Sequence, residues 1–207
     1  MNSVPLITTA VSAFLLGSIP NGFLVAKAKG IDIREHGSKN IGATNVLRVL
    51  GKGPGYTVFA LDALKGVAAV LLGRFLTGAL PDQLGEIIAS ISCILGHSYT
   101  PWLGFKGGKG VATTAGVLLT LFQPLVMLVV LATWLVFFYS TRYVSVASIT
   151  AALTIPVAVW LLVVRESSHG SYILIFAITV GLLVVLRHKA NIARLIAGTE
   201  PRFTKKI

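Results

Sequence analysis

The chain is built from long apolar segments, and its basic residues lie almost entirely in alternate connections between those segments. Of its 207 residues, 55% are hydrophobic and only 12% are charged, whereas soluble domains have about 45–50% and about 25%. A soluble protein of this length has too little interior to bury so many apolar side chains. The sequence therefore predicts an all-α integral membrane protein, and its length predicts a single domain over residues 1–207.

The apolar segments define the predicted membrane spans, because a helix needs about 20 apolar residues to cross a bilayer. These segments cover approximately residues 5–26, 55–78, 84–103, 145–164 and 171–187, with a longer stretch at 111–139. The longer stretch contains Gln123 and Pro124, and a proline ends or kinks a helix because it has no amide donor. This stretch is therefore either one kinked helix or two short helices, 111–122 and 124–139.

The distribution of Lys and Arg distinguishes these two possibilities. With two helices the chain has seven spans, and fifteen of its 18 cations lie on one side against two on the other. With one helix the ratio falls to nine against eight. Cytoplasmic connections carry the excess of Lys and Arg, so we predict seven transmembrane helices with the N-terminus outside and the C-terminus in the cytoplasm. The same rule accounts for the net charge of +11, so no nucleic acid partner is expected.

The first unusual cytoplasmic connection, called here the first loop, is residues 37–45 with the sequence GSKNIGATN. Glycine and asparagine tolerate positive φ angles, so the chain can fold tightly and direct several amides at one point. Such a concave array of amides binds anions. Thr44 or Asn45 is placed to cap a helix beginning near Val46, which would add a helix N-terminus to the site. The alternative is a loop that only turns the chain.

The second unusual connection, called here the second loop, is residues 104–110 with the sequence GFKGGKG. Its four glycines and its lysines Lys106 and Lys109 lead directly into the short helix predicted at 111–122. Unshielded amides, a helix N-terminus and positive charges are typical of a phosphate site. The loop is not a nucleotide-binding P-loop, because Gly110 follows Gly-Lys where Ser or Thr is needed. The alternative is that the lysines only mark the cytoplasmic boundary.

Two charged residues lie inside the second predicted span. Asp62 and Lys65 are spaced i, i+3 and therefore share a helix face. Charged residues within a membrane span are functional by default, and the alternative here is a structural ion pair. The two interpretations are compatible if Asp62 orients Lys65.

Further polar residues lie at the cytoplasmic ends of other spans. They are His97 in the third span, Ser145 and Ser148 at the start of the sixth, and His188 and Asn191 just beyond the last. No group of carboxylates and histidines has the spacing of metal ligands, so neither a metal nor a cofactor is expected. The single cysteine, Cys93, lies in an apolar run and is expected to be a packing residue.

Five stretches together resemble the bacterial acyl-phosphate:glycerol-3-phosphate acyltransferases, and the resemblance runs nearly from end to end of the chain. They are GSIP at 17–20, GSKNIGATN at 37–45, LDALKG at 61–66, GHSYTPWLGFKGGKGVAT at 96–113 and HKANI at 188–192. One residue departs from the pattern, since Lys39 stands where that family often has glycine.

The resemblance implies a seven-helix enzyme of the bacterial inner membrane, with its active site on the cytoplasmic side and a monomer as a plausible functional unit. The implied reaction moves a fatty acyl group from a fatty acyl phosphate to the 1-hydroxyl of glycerol 3-phosphate. Its products are lysophosphatidic acid and phosphate, in the first step of phospholipid synthesis. The implied partners are these two substrates and the lipid bilayer.

The resemblance also implies roles for individual residues. Glycerol 3-phosphate would be held by Arg48, Lys109, Ser145, His188 and Asn191, of which Arg48, Lys109 and His188 would also be catalytic. The phosphate of the donor would be held by Ser38, Asn40, Gly42, Thr44, Asn45, Lys106, Gly107, Gly108, Gly110 and Thr113. Asp62, Lys65 and His97 would support the site.

The residues themselves point to catalysis by positioning and charge stabilisation. No histidine is followed five residues later by the aspartate that other acyltransferases use, and an acyl phosphate is already activated. The proton of the attacking hydroxyl would pass to the donor phosphate or to His188. Two other classes of protein stay open at this point, a transporter or channel for an organic phosphate and a non-catalytic lipid-binding protein.

Overall fold

A computed structural model of the chain describes residues 4–78, 80, 83–165 and 171–203, and every regular element within those ranges is helical. The prediction of an all-α fold is therefore confirmed for this part of the chain. The α-helices in these ranges are α1 Val4–Ser18, α2 Asn21–Lys27, α3 Ala43–Leu50, α4 Lys52–Thr77, α5 Leu84–Ser98, α6 Val111–Leu121, α7 Pro124–Thr141, α8 Val144–Val159, α9 Ser171–Arg187 and α10 Lys189–Ile196. A 3₁₀ turn at Pro101–Leu103 precedes α6, and a π-helical turn at Trp160–Val164 extends α8.

The ambiguous apolar stretch forms two helices, as the charge distribution predicts. α6 ends at Leu121, Gln123 is extended with φ −61° and ψ 150°, and Pro124 opens α7. A proline is well tolerated at that position because the first amides of a helix have no partner within it. α6 has only 11 residues, so it is about 17 Å long.

The helices are apolar and leave large apolar side chains exposed, among them Leu128, Leu153 and Val157. Within the described ranges, Val4–Lys27, Pro124–Thr141 and Val144–Val164 are long and apolar enough to cross a membrane. A fourth candidate results if α9 and α10, which are bent by 53°, count as one span. The number of seven spans and the placement of both termini stay predictions.

Two predicted segments differ clearly from the structure, and the first of them, 5–26, is interrupted between α1 and α2. The third apolar segment is helical only to Ser98, five residues short of the predicted end at Leu103. Thr100 is extended, with ψ 124°, because the residue before a proline is sterically excluded from the helical region. Pro101 then begins the 3₁₀ turn, and the chain enters the second loop.

By packing, the chain divides into two compact units, Met1–Leu121 and Phe122–Ile207, so the single domain over residues 1–207 stays a prediction. In the first unit, α5 packs on α1 and α4, and α6 packs on α4. A Cβ at Gly66 would strike the carbonyl of Thr113, and one at Gly116 would strike that of Ala63. These glycines let two backbones approach closely, so the short α6 is held against α4.

The second unit is a layer in which α8 packs on both α7 and α9. Its buried residues include small and β-branched side chains of α8, and Phe176 and Val180 of α9. The indole of Trp134 donates to the hydroxyl of Ser148 at 3.2 Å. The tail after α10 returns to the α7–α8 turn, where the amide of Phe203 donates to the carbonyl of Arg142 at 2.8 Å.

Candidate functional site

The first loop is organised by the buried side chain of Asn45. Its Nδ2 donates to the carbonyls of Asn40 at 2.9 Å and His36 at 3.0 Å, and its Oδ1 accepts from the amide of Ser38 at 2.8 Å. The Asn40 side chain adds a second bond, because its Oδ1 accepts from the amide of Gly42 at 2.9 Å. An amide side chain has two donor hydrogens and one acceptor oxygen, so the Asn45 amide is engaged within the loop. Its predicted contact with phosphate stays a prediction, and the geometry gives it a role in shaping the loop.

The helix after the first loop begins earlier than predicted. α3 starts at Ala43 rather than near Val46, and Gly42 occupies the N-cap position with an extended backbone and no side-chain cap. The predicted cap by Thr44 or Asn45 is therefore wrong, since both residues lie inside the first turn. With no side-chain acceptor at the cap, the N-terminus of α3 is suited to an external anion.

The unusual residue of the first loop, Lys39, has a left-handed backbone with φ +59°. Glycine adopts this conformation without a steric penalty. The backbone thus explains why lysine here is the departure from a family pattern that often has glycine.

The second loop folds back onto the C-terminal end of α5. The amide of Gly107 donates to the carbonyl of Ser98 at 3.2 Å, and the amide of Gly108 donates to the carbonyl of His97 at 3.0 Å. Gly107, Gly108 and Gly110 are buried, and a Cβ on Gly107 would strike the backbone of α5. The glycines are therefore required by close packing, and α6 begins directly after them.

The predicted supporting residues meet in one buried cluster beneath this loop. Lys65 Nζ lies 3.0 Å from Asp62 Oδ1, which confirms that the pair shares a helix face. Lys65 also donates to the carbonyl of Ile19 at 3.0 Å, and Asn21 Nδ2 donates to Asp62 Oδ1 at 3.0 Å. The Nδ1 of His97 is 3.7 Å from the same carboxylate oxygen. Asn21 was not predicted as a site residue, although it directly follows the GSIP motif.

The break between α1 and α2 holds the turn that precedes the second loop, and the start of α2 contacts the first loop. Thr100 Oγ1 donates to the carbonyl of Ser18 at 2.6 Å, and Trp102 Nε1 donates to the Ser18 hydroxyl at 2.8 Å. Four residues on, Gly22 packs against the carbonyl of Ile41, where a Cβ would collide. Residues 18–22 therefore have a structural task, since they contact the turn before the second loop, the first loop and the Asp62 cluster.

Buried hydroxyls without a hydrogen-bond partner are concentrated near the second loop. In the described part of the chain, six buried side-chain polar atoms find no partner, and three are the hydroxyls of Ser98, Thr113 and Thr114. Such an atom costs about 1–3 kcal/mol if nothing meets it. Ser98 ends α5 under the loop, and the two threonines lie in the first turn of α6. These three hydroxyls form a set of donors suited to an oxyanion, whereas the amides of Gly107 and Gly108 already donate to carbonyls of α5.

The second unit carries its own polar cluster around Glu200. The hydroxyl of Ser145 and the Nδ2 of Asn191 both donate to Glu200 Oε1 at 2.7 Å, and Arg194 Nε donates to Oε2 at 2.7 Å. All but Arg194 are buried. The structure thus brings together two predicted site residues through a third that the sequence analysis missed. The available signal was that Glu200 is the one acidic residue after position 187 in the sequence.

Glu200 is held as a carboxylate. Burial raises its pKa, but the hydrogen bonds from Asn191, Ser145 and Arg194 lower it more, so the pKa lies below the ordinary value. Because a carboxylate only accepts, the nitrogen of the Asn191 amide must face it. The Oδ1 of Asn191 is then a buried acceptor, and it is another of the six atoms without a partner.

The neighbouring His188 has a defined tautomer. Its Nδ1 lies 2.7 Å from the carbonyl of Val184, and since a carbonyl can only accept, Nδ1 carries the proton. The Nε2 of the neutral ring is therefore the nitrogen able to accept a proton. Of the remaining predicted residues, Arg48 lies in the last turn of α3, Lys109 is half-buried in the second loop and Lys106 is exposed.

The fold and these clusters define a class, an apolar helical protein with glycine- and amide-rich loops suited to phosphate groups. Within it, residues 7–198 match the family model of glycerol-3-phosphate acyltransferases. The chain is 48% identical over 211 residues to the glycerol-3-phosphate acyltransferase of Acaryochloris marina, covering 95% of this chain and 91% of the relative. It is 45% identical over 201 residues to that of Thermosynechococcus vestitus, covering 93% and 92%. The chain belongs to the glycerol-3-phosphate acyltransferase family, and the resemblance seen in the sequence is confirmed.

Solved structures agree. A crystal structure of PlsY (YgiH), an integral membrane glycerol 3-phosphate acyltransferase, in its glycerol 3-phosphate form is 43% identical, with a TM-score of 0.86 and 96% of each chain covered. The lysophosphatidic acid form is 42% identical, with a TM-score of 0.83, covering 96% of this chain and 95% of the other. The fold is therefore that of an integral membrane enzyme. The roles of individual residues stay predictions.

Proposed function

We propose that this protein transfers a fatty acyl group from an acyl phosphate to the 1-hydroxyl of glycerol 3-phosphate, giving lysophosphatidic acid and phosphate. This reaction is the first step of phospholipid synthesis. The observation that carries the proposal is the set of buried, unpartnered hydroxyls of Ser98, Thr113 and Thr114 next to the second loop, in a chain of this family. The acyltransferase PlsY, which the chain resembles at 43% identity, has a glycerol 3-phosphate form and a lysophosphatidic acid form.

The donor phosphate is bound by the two loops of the first unit. Hydroxyls of these loops, with those amides that are not bonded within the protein, supply the contacts to its oxygens, and the exposed Lys106 supplies positive charge. This assignment covers Ser38, Asn40, Gly42, Thr44, Asn45, Gly107, Gly108, Gly110 and Thr113. The acyl chain of the donor stays in the lipid, because the surrounding helices expose apolar side chains.

The acceptor, glycerol 3-phosphate, is bound by Arg48, Lys109, Ser145, His188 and Asn191. Arg48 and Lys109 match the charge of its phosphate. The Oδ1 of Asn191 can only accept a hydrogen bond, so it suits a hydroxyl of glycerol and not a phosphate oxygen. Glu200 accepts hydrogen bonds from Ser145 and Asn191 and so holds both side chains in place for this contact.

In the reaction, the 1-hydroxyl oxygen attacks the carbonyl carbon of the acyl phosphate. A new ester C–O bond forms, the C–O bond to phosphate breaks, and phosphate leaves with the electron pair. The hydroxyl proton passes to the leaving phosphate or to Nε2 of His188. Most of the acceleration comes from positioning and from stabilising charge on the phosphate, and no covalent acyl-enzyme is required, since Cys93 is buried in α5.

The protein works as a seven-span enzyme of the bacterial inner membrane with both loops facing the cytoplasm. The fifteen-to-two distribution of cations supports this orientation. No feature of the described residues requires a second copy of the chain for the site, so a monomer is the proposed functional unit.

The test is an assay of purified protein in detergent with palmitoyl phosphate and glycerol 3-phosphate. We expect phosphate release that requires both substrates, with lysophosphatidic acid formed in equal amount. Palmitoyl-CoA is the matched control donor and should give no product. Transfer from palmitoyl-CoA but not from palmitoyl phosphate would refute the donor, whereas glycerol 3-phosphate flux into proteoliposomes without turnover would identify a transporter.

A further inference from the structure

We propose that His97 is a positioning residue for this reaction, whose imidazole supports Gly108 and so sets the place of the donor phosphate. The inference rests on the proposed function, because it assumes that the second loop binds that phosphate. The sequence analysis gave His97 only an unspecified supporting role. The structure assigns it a definite partner in the loop.

His97 holds Gly108 in two ways. The main-chain carbonyl of His97 accepts from the amide of Gly108 at 3.0 Å. The imidazole lies directly under the Gly108 Cα, because the three atoms nearest to a Cβ built on Gly108 are Nε2, Cε1 and Cδ2 of this one ring. Gly108 therefore rests on a side chain, whereas the neighbouring Gly107 rests on the backbone of His97 and Ser98.

The opposite edge of the ring faces a fixed carboxylate. The Nδ1 of His97 is 3.7 Å from Asp62 Oδ1. The same carboxylate oxygen lies 3.0 Å from Lys65 Nζ and accepts a hydrogen bond from Asn21 Nδ2 at 3.0 Å. Lys65 is tied in turn to the carbonyl of Ile19. His97, Asp62 and Lys65 are all at most 6% exposed, so the ring lies between a rigid buried cluster and the loop.

The position of Gly108 and of the second loop relative to α5 therefore depends on the position and thickness of the His97 ring. A misplacement of about 1 Å in a group that positions a substrate can cost about 100-fold in rate. Loss of the ring should therefore act on the donor side of the reaction. Binding of glycerol 3-phosphate should change less, because Lys109 is the one residue of the second loop among its five proposed ligands.

The test is a double-mutant cycle with His97→Ala and Gly108→Ala. In the natural background, Gly108→Ala should lower kcat/KM for palmitoyl phosphate by about ten-fold or more. In the His97→Ala background the added methyl group meets no ring, and the further loss should be less than about two-fold. Gly107→Ala is the matched control, because its methyl meets backbone and should cost the same in both backgrounds.

Two readouts separate positioning from general loss of structure. His97→Ala should raise KM for palmitoyl phosphate about ten-fold, while KM for glycerol 3-phosphate, four of whose five proposed ligands lie outside the loop, should rise by a clearly smaller factor. His97→Gln, whose amide reaches the place of Nε2 near Gly108, should retain more activity than His97→Asn, whose amide reaches only the place of Nδ1. Equal losses for the two variants, or parallel changes in both KM values, would overturn the proposal.

The result can be distinguished from a failure of the proposed function. If the natural protein does not use palmitoyl phosphate, the donor assignment is wrong. The double-mutant cycle is then measured by the rise in melting temperature that inorganic phosphate produces in each variant. Gly108→Ala should abolish that rise in the natural background, and should cause no further loss with His97→Ala. An equal effect of Gly108→Ala in both backgrounds, or no rise in the natural protein, would overturn the inference.

Discussion

Replacement of Glu200 gives the sharpest prediction for the second unit. Its Oε1 accepts from both Ser145 and Asn191, and its Oε2 accepts from Arg194. In Glu200→Gln the new amide can keep its oxygen toward Ser145 and Asn191 and present its nitrogen to Arg194. In Glu200→Ala both buried donors lose their acceptor.

The structure sets the size of each effect. Glu200→Gln loses the bond to Arg194, whose side chain is 33% exposed and can turn to water, so the loss should be about 1 kcal/mol. Glu200→Ala leaves two buried donors unmatched at about 1–3 kcal/mol each. Its free energy of unfolding should therefore fall by about 2–6 kcal/mol, clearly more than that of the glutamine variant.

The assay is unfolding of the purified variants in detergent together with steady-state kinetics. KM for glycerol 3-phosphate should rise about ten-fold or more in Glu200→Ala and much less in Glu200→Gln, because only the first frees the Asn191 amide to turn. Equal stability of the two variants, with an unchanged KM for glycerol 3-phosphate in both, would refute the assigned role of Glu200.

Three further outcomes follow from the same contacts. Lys109→Ala removes a charge from the second loop and should lower kcat/KM by about ten-fold or more, while the same change at exposed Lys106 should cost less; near-normal kinetics of folded Lys109→Ala would contradict the assignment. Asp62→Leu leaves the charge of buried Lys65 without its carboxylate and should lower the free energy of unfolding by about 3–5 kcal/mol. Adding Lys65→Met to the same chain should restore part of this stability. If unfolding measurements find no restoration, the broken ion pair is not the cause of the loss. Glu200 has a lowered pKa in the folded protein, so its carboxylate stabilises the fold above the pKa of about 4.3 of an unfolded glutamate. This stabilisation is lost as the pH falls through the lower pKa of the folded state. A pH titration of the melting temperature should show a smaller loss at acid pH in Glu200→Gln than in the natural protein.

Features that depend on neighbouring residues were readable from the sequence. The break at Pro124 is a local effect of a missing amide, and the face shared by Asp62 and Lys65 follows from helical spacing. The glycines of the second loop predicted unshielded amides, but Gly107 and Gly108 pack on α5 and their amides donate to its carbonyls, so the sequence did not predict this packing.

Features that depend on contacts between distant residues were not readable. Ser145 is 55 positions from Glu200, and Asn21 is 41 positions from Asp62, so neither pairing leaves a local pattern. Asn45 was predicted as a helix cap because it lies near the start of α3. Its amide instead bonds to carbonyls up to 12 residues earlier, and this tertiary network is stronger than the local capping preference.

The central claim is that the two loops of the first unit bind oxyanions at one aqueous face, the cytoplasmic one. The direct measurement is labelling of Lys39→Cys and Lys106→Cys, both at exposed positions, in a Cys93→Ser chain with an impermeant maleimide. In inside-out membrane vesicles both cysteines should react, and in right-side-out vesicles neither should. Reaction of the two cysteines from opposite sides of the membrane would contradict the account.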